Sequence, residues 1–218
     1  MQIILERPRT KAERGRSRYW ERLREVDALV QRDIALIRTL RHRTPIVDAG
    51  CGNGGFVLAC REAGIDAIGV EAFAESVAVA AANGIDAVRG AGEAMPFASG
   101  AVDVVRLKEV LEHVQRPLDM AREMHRVLRP GGVFIAYVPT QWSQIYPFPV
   151  NFWDDYTHVR PFSRVGLQRL LEDAGFERMR IEGYTPPLRA WQRPIGAALS
   201  RTLPFLWRAV AIKEDGHA

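Results

Sequence analysis

The sequence predicts an α/β fold with a doubly wound, mostly parallel sheet. Short apolar runs alternate with segments of helical period between residues 46 and 138. Glycines stand where two of the intervening helices should end, at Gly64 and Gly84. The stretch Ile46–Phe56 leads from apolar residues through an acid into a loop with few side chains, as at the first strand-to-helix turn of such sheets.

A long amphipathic helix is expected before the sheet. Apolar residues recur every three or four positions from Tyr19 to Leu40, so this helix should pack on the main domain as a lid or flank. The alternation that follows predicts strands near 46–49, 66–71, 85–88, 102–107 and 132–138. Helices are predicted between them at 54–63, 74–83 and 117–128.

The chain changes character towards its C-terminal part. Pro130–Gly132 predicts a turn between Leu128 and the following strand. Residues 140–162 are aromatic and proline-rich, which is typical of a substrate loop rather than a core element or a disordered linker. The remaining elements are a helix Ser163–Ala174 stopped by Gly175, a strand near 176–183, and a last, antiparallel strand Trp207–Lys213.

Composition indicates a globular protein. The chain has 218 residues, 47% of them hydrophobic, which suits one domain. No apolar run is long enough to span a bilayer, and Met1–Arg24 lacks the apolar segment of a secretory signal, so a cytoplasmic location is expected. Cys51 and Cys60 fit neither a disulfide framework nor a metal-ligand spacing and are interpreted as reduced packing residues.

Positive charge is concentrated near the N-terminus. The net charge is +4, of which residues 1–43 contribute +6 and the rest −2. We therefore divide the chain into a basic helical segment, 1–43, and a domain, 44–218. Such a segment is more typical of a solvated helix than of a nucleic-acid-binding arm, so a nucleic acid is not the expected partner.

The glycine-rich turn predicts a bound cofactor. Gly50, Gly52 and Gly55 have the G-x-G-x-x-G spacing of dinucleotide-binding proteins. Asp48, two residues earlier, would repel a pyrophosphate but attract the ammonium and sulfonium groups of S-adenosylmethionine. The turn thus favours S-adenosylmethionine over NAD.

Two later positions fit the same cofactor. Glu71 ends the second strand about twenty residues after the glycine turn, where a carboxylate can accept hydrogen bonds from both ribose hydroxyls. The loop Gly90–Phe97 has small residues that let backbone N–H groups reach the edge of an adenine.

These motifs together resemble those of class I S-adenosylmethionine-dependent methyltransferases, including the ubiquinone-pathway O-methyltransferases. The matching stretches are Asp48–Gly54, Gly69–Glu71, Gly90–Phe97, Val102–Val105 with Leu111–Val114, and Leu128–Gly132. The resemblance implies a Rossmann-like, seven-stranded fold. The cofactor-binding residues that it implies are Asp48, Gly50, Cys51, Gly52, Glu71, Ala72, Gly92, Glu93, Ala94 and Lys108.

One position departs from the family pattern. Ala91 stands where the family usually has an aspartate that accepts from the adenine amino group. That contact must come from the backbone or from Glu93, or be missing.

The fourth strand leads into a candidate metal site. On a helical turn Glu109, Glu112 and His113 would share one face and could hold a divalent cation. The pattern resembles the magnesium-associated motif of ubiquinone-pathway O-methyltransferases and of small-RNA 3′-end methyltransferases. The alternative is a helix-start signature without metal, in which His113 is hydrogen-bonded locally.

A second histidine lies in the substrate loop. Tyr156–Ser163 resembles the loop that faces the acceptor in many small-molecule methyltransferases and in methyltransferases linked to cell-surface glycans and lipids. His158, like His113, is then a candidate base, because a hydroxyl must lose its proton when it is methylated. Asp154 and Asp155 are weaker candidates. Alternatively, His158 only pins the loop to the sheet.

The predicted function is methyl transfer from S-adenosylmethionine to a small-molecule, glycan or lipid-like acceptor, with oxygen as the favoured atom. An RNA methyltransferase and a non-catalytic cofactor-binding or scaffold protein are the alternatives. The apolar stretch Trp191–Trp207 predicts either peripheral membrane contact or a packed connection into the last strand.

Overall fold

A computed structural model describes residues 28–40, 42–145, 151–185 and 202–214. The helices are α1 (Ala28–Thr39), α2 (Gly55–Glu62), α3 (Ala74–Ala82), α4 (Pro117–Val127) and α5 (Arg164–Asp173). The strands are β1 (Ile46–Ala49), β2 (Ala67–Glu71), β3 (Ala87–Arg89), β4 (Val102–Lys108), β5 (Leu128–Pro139), β6 (Arg178–Tyr184) and β7 (Leu206–Ile212).

The strands form one seven-stranded sheet in the order β3-β2-β1-β4-β5-β7-β6. The first five strands in this order, from β3 across to β5, run parallel to one another, and β7 is antiparallel to both β5 and β6. The prediction of a mostly parallel sheet with an antiparallel last strand is confirmed. The order reverses between β1 and β4, which is where α/β sheets of this kind bind ligands.

Helices cover both faces of the sheet. One hydrophobic core contains buried residues of α4 and α5, and the other contains buried residues of α1, α2 and α3. Leu29, Ile34 and Ile37 of α1 are buried, so this helix packs into the core as the sequence predicts. Residues 19–27 of the predicted helix lie outside the described residues.

Glycines end the helices at the predicted places. Gly64 and Gly84 have φ values of +72° and +67°, the left-handed conformation that glycine adopts without steric cost. Gly175, with φ +102°, follows α5 in the same way. At the other end of α5 the Ser163 hydroxyl accepts from the Gly166 N–H at 3.0 Å, which confirms the predicted cap.

The turn predicted at Pro130–Gly132 lies inside β5 rather than before it. β5 already begins at Leu128, and its pairing with β4 shifts register between Val102 and Val104, so the chain bulges out within the strand at the predicted place. Gly131 has φ +73° there, and its N–H donates to the Lys213 carbonyl at 2.7 Å. The contact to the end of β7 supplies the hydrogen bond that keeps the segment in the sheet.

The substrate loop contains short helices where it is described. Two 3₁₀ helices, Gln141–Gln144 and Phe152–Asp154, are joined by the Asn151 side chain, which donates to the Gln144 carbonyl at 2.5 Å. Residues 146–150 lie outside the described part. So does most of the apolar stretch Trp191–Trp207. Within the described ranges, no helix is both long and apolar enough to cross a membrane.

Candidate active site

The carboxyl ends of β1, β2 and β4 bring the predicted cofactor residues to one edge of the sheet. Gly50 follows β1, Ala72 follows β2, and Lys108 is the last residue of β4. Because these strands are adjacent and parallel, residues distant in the chain lie side by side here.

The turn after β1 requires glycine for two reasons. Gly50, Gly52 and Gly54 all have positive φ, at +71°, +53° and +83°. In addition, a Cβ atom on Gly50 would overlap the Val110 side chain. The turn is therefore held close to the segment that follows β4. Cys51 is buried within it, with its Sγ 3.6 Å from the Gly52 carbonyl oxygen.

Glu71 braces this turn. One carboxylate oxygen accepts from the Gly52 N–H at 2.9 Å, and the other accepts from Ala72 and Phe73 N–H at 2.8 and 3.2 Å. A carboxylate has about four acceptor positions, so one remains for a ribose hydroxyl. The sequence suggested the ribose contact but did not predict the hydrogen bonds from Glu71 to the turn.

Asp48 has a charged partner that the sequence analysis missed. Its carboxylate accepts from Arg106 at 2.9 Å, and Arg106 also donates to Asp33 at 2.9 Å. Burial raises the pKa of Asp48, while Arg106 opposes that rise. The charge of Asp48 is thus balanced from within the protein, and it does not act as a lone acid towards a cationic cofactor.

The pairing of Asp48 is part of a buried network. Asp33 of α1 also accepts from the Tyr137 hydroxyl at 2.6 Å and from Arg208 at 3.0 Å. Phe56 lies 4.1 Å from the Arg106 guanidinium, with its ring facing it. Two signals in the sequence could have revealed this network: an arginine in the middle of the apolar β4 and an aspartate on the apolar face of α1.

The loop after β3 forms a tight turn at the same edge. The Ala94 N–H donates to the Ala91 carbonyl at 3.0 Å, and Glu93 is exposed at the turn. Gly92 packs so closely that a Cβ atom would overlap Met120. The Met95 N–H donates to Glu123 of α4 at 2.7 Å, which fastens the end of the turn. Gly92 therefore has a packing role, and Glu93 and Ala94 are exposed.

The segment after β4 does not form the predicted helical turn. Glu109 has φ +53°, and among the described residues it is the non-glycine residue with positive φ. Its N–H donates to the Tyr137 carbonyl at 3.0 Å, and its carboxylate lies 3.4 Å from the Lys108 ammonium. The expectation that Glu109 shares a helix face with Glu112 and His113 is wrong, because the backbone changes direction at Glu109.

The structure instead joins Glu112 and His113 with His158. Each of the three residues offers one potential ligand atom, and these atoms all lie within 4.8 Å of one another. The centroids of the two imidazole rings are 4.6 Å apart. We call these three residues the Glu-His-His cluster. The Val159 N–H donates to the Glu112 carbonyl at 2.7 Å, which holds the substrate loop against the segment after β4. No spacing rule in the sequence connects these two segments.

Glu112 is the most unusual member of the cluster. Its side chain is fully buried, and neither carboxylate oxygen has a hydrogen-bond partner. Burial raises the pKa of Glu112 to about 8. A buried polar group without a partner is rare and points to a functional role.

Both histidines are held through Nδ1. His158 Nδ1 lies 2.5 Å from the Phe152 carbonyl oxygen, and the Phe152 ring stacks on the imidazole with 4.4 Å between centroids. His113 Nδ1 lies 2.8 Å from the Thr157 hydroxyl. Burial and the neighbouring His158 lower the pKa of His113, so its neutral form is favoured.

The fold and this edge of the sheet define the class of protein. The sheet has this strand order with an antiparallel β7, and it carries a glycine turn after β1 and an acid at the end of β2. This is the arrangement of class I S-adenosylmethionine-dependent methyltransferases. Residues 17–180 match a family described as a methyltransferase domain, and the chain belongs to that family. The resemblance inferred from the sequence is confirmed, and S-adenosylmethionine is the cofactor of the class.

Curated relatives agree with this assignment. A probable S-adenosylmethionine-dependent methyltransferase of Mycolicibacterium smegmatis is 31% identical over 166 residues, covering 73% of this chain and 60% of that protein. An uncharacterized methyltransferase of Mycobacterium avium is 41% identical over 95 residues, covering 41% of this chain and 37% of that protein. The matches thus span less than two thirds of these relatives.

Solved structures share the fold. A methyltransferase from Archaeoglobus fulgidus has a TM-score of 0.68 and 19% identity, covering 85% of this chain and 93% of that one. A possible histamine N-methyltransferase from Thermotoga maritima has a TM-score of 0.68 and 18% identity, with coverages of 92% and 95%. Geranyl diphosphate C-methyltransferase from Streptomyces coelicolor, solved with magnesium, geranyl diphosphate and S-adenosyl-L-homocysteine, has a TM-score of 0.56 and 20% identity, with coverages of 79% and 71%.

Proposed function

We propose that the protein transfers a methyl group from S-adenosylmethionine to an oxygen atom of a small-molecule, glycan or lipid-like acceptor. The Glu-His-His cluster is the observation that carries this proposal. It follows the carboxyl end of β4, beside the residues proposed to hold the cofactor, and its imidazoles can accept the proton that a hydroxyl loses when it is methylated.

The proposed cofactor residues fit S-adenosylmethionine. Gly50 and Gly52 adopt the left-handed conformations that the turn requires, and Glu71 has acceptor capacity for the ribose. Gly92–Ala94 follows β3, the neighbour of β2 in the sheet, and is proposed to contact adenine. Lys108 and Ala72 line the ends of β4 and β2. When bound, the cofactor supplies a methyl group that its sulfonium makes electrophilic.

The proposed role of the histidines is to take the acceptor's proton. The new C–O bond to the acceptor would form as the C–S bond breaks, with the electron pair of that bond left on sulfur. The proton of the hydroxyl passes to His158 or His113. The lowered pKa of His113 supports this role, because a neutral imidazole has a lone pair to receive a proton.

The cluster also fits a divalent cation. Two imidazoles and a carboxylate are a known donor set for divalent metals, and the unpartnered Glu112 carboxylate is the group that a cation would satisfy. Glu112, His113 and His158 would hold the ion, and Glu109 drops out of the predicted ligand set. A cation held there would lower the pKa of a bound hydroxyl. Two imidazole ligands favour manganese, iron or zinc over magnesium.

The first experiment measures cofactor binding. We expect calorimetry to give binding of S-adenosylmethionine and S-adenosylhomocysteine but not of NAD. Glu71→Ala should weaken binding at least about tenfold, because hydrogen bonds to a charged group contribute about 1.5–3 kcal/mol. Glu75→Ala, which removes an exposed acid in the first turn of α3, is the matched control. Absence of binding by the wild-type protein would contradict the proposal.

The second experiment measures turnover on a panel of hydroxyl acceptors with methyl-labelled S-adenosylmethionine. His158→Gln and His113→Gln should lower kcat by about 10²-fold while leaving cofactor affinity unchanged. Loss of activity in EDTA that manganese restores would favour the cation role over a metal-free base. Methylation of RNA alone would support the RNA alternative, and cofactor binding with no turnover would support a scaffold.

A further inference from the structure

The Thr157 hydroxyl lies between a carboxylate and an imidazole. Its Oγ1 is 2.6 Å from Asp155 Oδ1 and 2.8 Å from His113 Nδ1. The Thr157 backbone N–H donates to the same Asp155 oxygen at 2.9 Å. Asp155 and Thr157 therefore form a compact turn whose hydroxyl touches the Glu-His-His cluster.

The direction of these two hydrogen bonds follows from counting hydrogens. A hydroxyl has one hydrogen to donate, and an ionised carboxylate can only accept. The Thr157 bonds lower the pKa of Asp155, so the carboxylate stays ionised at neutral pH. The hydroxyl hydrogen consequently points to Asp155, and Thr157 Oγ1 must accept its second bond from an N–H on His113 Nδ1.

We propose that Asp155 and Thr157 are positioning residues that hold His113 as the Nδ1–H tautomer and so free the lone pair of its Nε2. This inference rests on the proposed function, in which that lone pair is used. Neither residue needs to touch the acceptor. Their effect passes through the imidazole of His113.

His158 is constrained to the same tautomer by a different device. Its Nδ1 lies 2.5 Å from the Phe152 carbonyl oxygen, and a carbonyl can only accept. Nδ1 of His158 therefore carries the hydrogen, and its Nε2 is the acceptor. Two unrelated contacts thus hold both imidazoles in the same tautomer, with the hydrogen on Nδ1. The third member of the cluster, the buried Glu112 carboxylate, has no hydrogen-bond partner.

The tautomer decides what the cluster can do. An imidazole that presents Nε2–H to a hydroxyl cannot take its proton, whereas one that presents the Nε2 lone pair can. The same lone pair is what a metal ion requires, and metal-binding histidines usually donate their other N–H to a neighbouring acceptor. The arrangement serves either use of the cluster.

The direct test is ¹⁵N NMR of the imidazole nitrogens at about pH 8, above the ordinary titration range of histidine. The wild-type protein and Thr157→Ser should show protonated Nδ1 and unprotonated Nε2 on His113. Thr157→Val should lose this single tautomer. Asp155→Ala frees the hydroxyl to donate to Nδ1, so the His113 population should shift towards Nε2–H.

The outcomes of this test separate the two proposals. A wild-type His113 protonated on Nε2, or a Thr157→Val spectrum identical to wild type, would overturn the positioning role. The measurement requires no turnover, so a confirmed tautomer without any methyl transfer would count against the proposed function alone. Thr39→Val removes a hydroxyl from the end of α1 and should leave His113 unchanged.

Activity gives a second readout. With an acceptor in hand, Thr157→Val should lower kcat by about 10- to 100-fold with little change in cofactor affinity, the usual scale for loss of a partner that orients a functional histidine. Thr157→Ser should restore kcat. An equal loss in Thr157→Ser and Thr157→Val would contradict the role of the hydroxyl.

Discussion

Two glycines with the same backbone conformation are needed for different reasons. Gly50 and Gly64 have φ values of +71° and +72°. A Cβ atom on Gly50 would overlap Val110, whereas a Cβ atom on Gly64 would meet nothing within 4 Å. Backbone strain is therefore common to both positions, and close packing is particular to the cofactor turn.

This pair allows strain and packing to be measured separately. Gly64→Ala should lower the free energy of unfolding by about 1–2 kcal/mol, the cost of the left-handed conformation for alanine. Gly50→Ala should cost at least about 1 kcal/mol more, because Val110 must move as well. It should also weaken S-adenosylmethionine binding. Urea denaturation and calorimetry measure these effects, and equal losses in the two variants would contradict this explanation.

At the scale of elements, a single aspartate of β4 holds the segment that precedes β1. Asp103 Oδ2 accepts from the Arg43 and Thr44 N–H groups at 2.8 Å each and from the Thr44 hydroxyl at 2.9 Å. Its other oxygen pairs with Arg129. Burial raises the pKa of Asp103, but these hydrogen bonds outweigh burial and bring the pKa to about 2.

The attachment predicts a pH-dependent stability. Because the pKa of Asp103 is lower in the folded protein than its ordinary value of 3.8, its contribution is complete above about pH 4 and is lost as the pH falls towards 2. The contribution is about 2 kcal/mol, from about 1.4 kcal/mol per pH unit. The difference in unfolding free energy between wild type and Asp103→Asn should therefore shrink on acidification. If the difference in unfolding free energy does not vary between neutral pH and a pH of about 3, this role of Asp103 is contradicted.

At the scale of the whole molecule, the buried network joins α1 to four strands. Its members are Asp33 of α1, Asp48 of β1, Arg106 of β4, Tyr137 of β5 and Arg208 of β7. The two aspartates and two arginines balance in charge. Removing one partner leaves buried charges uncompensated, which costs more than the pair itself contributes.

Asp33→Ala should therefore lower the free energy of unfolding by about 3–5 kcal/mol. The control is Asp119→Ala, which breaks a partly exposed ion pair with Arg116 and should cost less than about 1 kcal/mol. Chemical denaturation of both variants measures the difference. Similar losses in the two would mean that the network adds nothing beyond a surface ion pair.

The sequence by itself determined the alternation of strands and helices, the glycine turn and the acid at Glu71. These features are local, since side-chain period and the conformational freedom of glycine act within a few residues. The sequence also predicted the family, because several such motifs occur in order. It did not predict that β5 begins before Pro130–Gly132, where hydrogen bonds with Lys213 at the end of β7 hold the bulged segment in the sheet.

Only the tertiary structure decided which functional groups meet. It brought His158 to Glu112 and His113, left Glu109 outside that cluster, and paired Asp48 with Arg106. The physical reason is that these contacts depend on strand order and on the path of the substrate loop. No interaction between neighbours in the sequence specifies either of them.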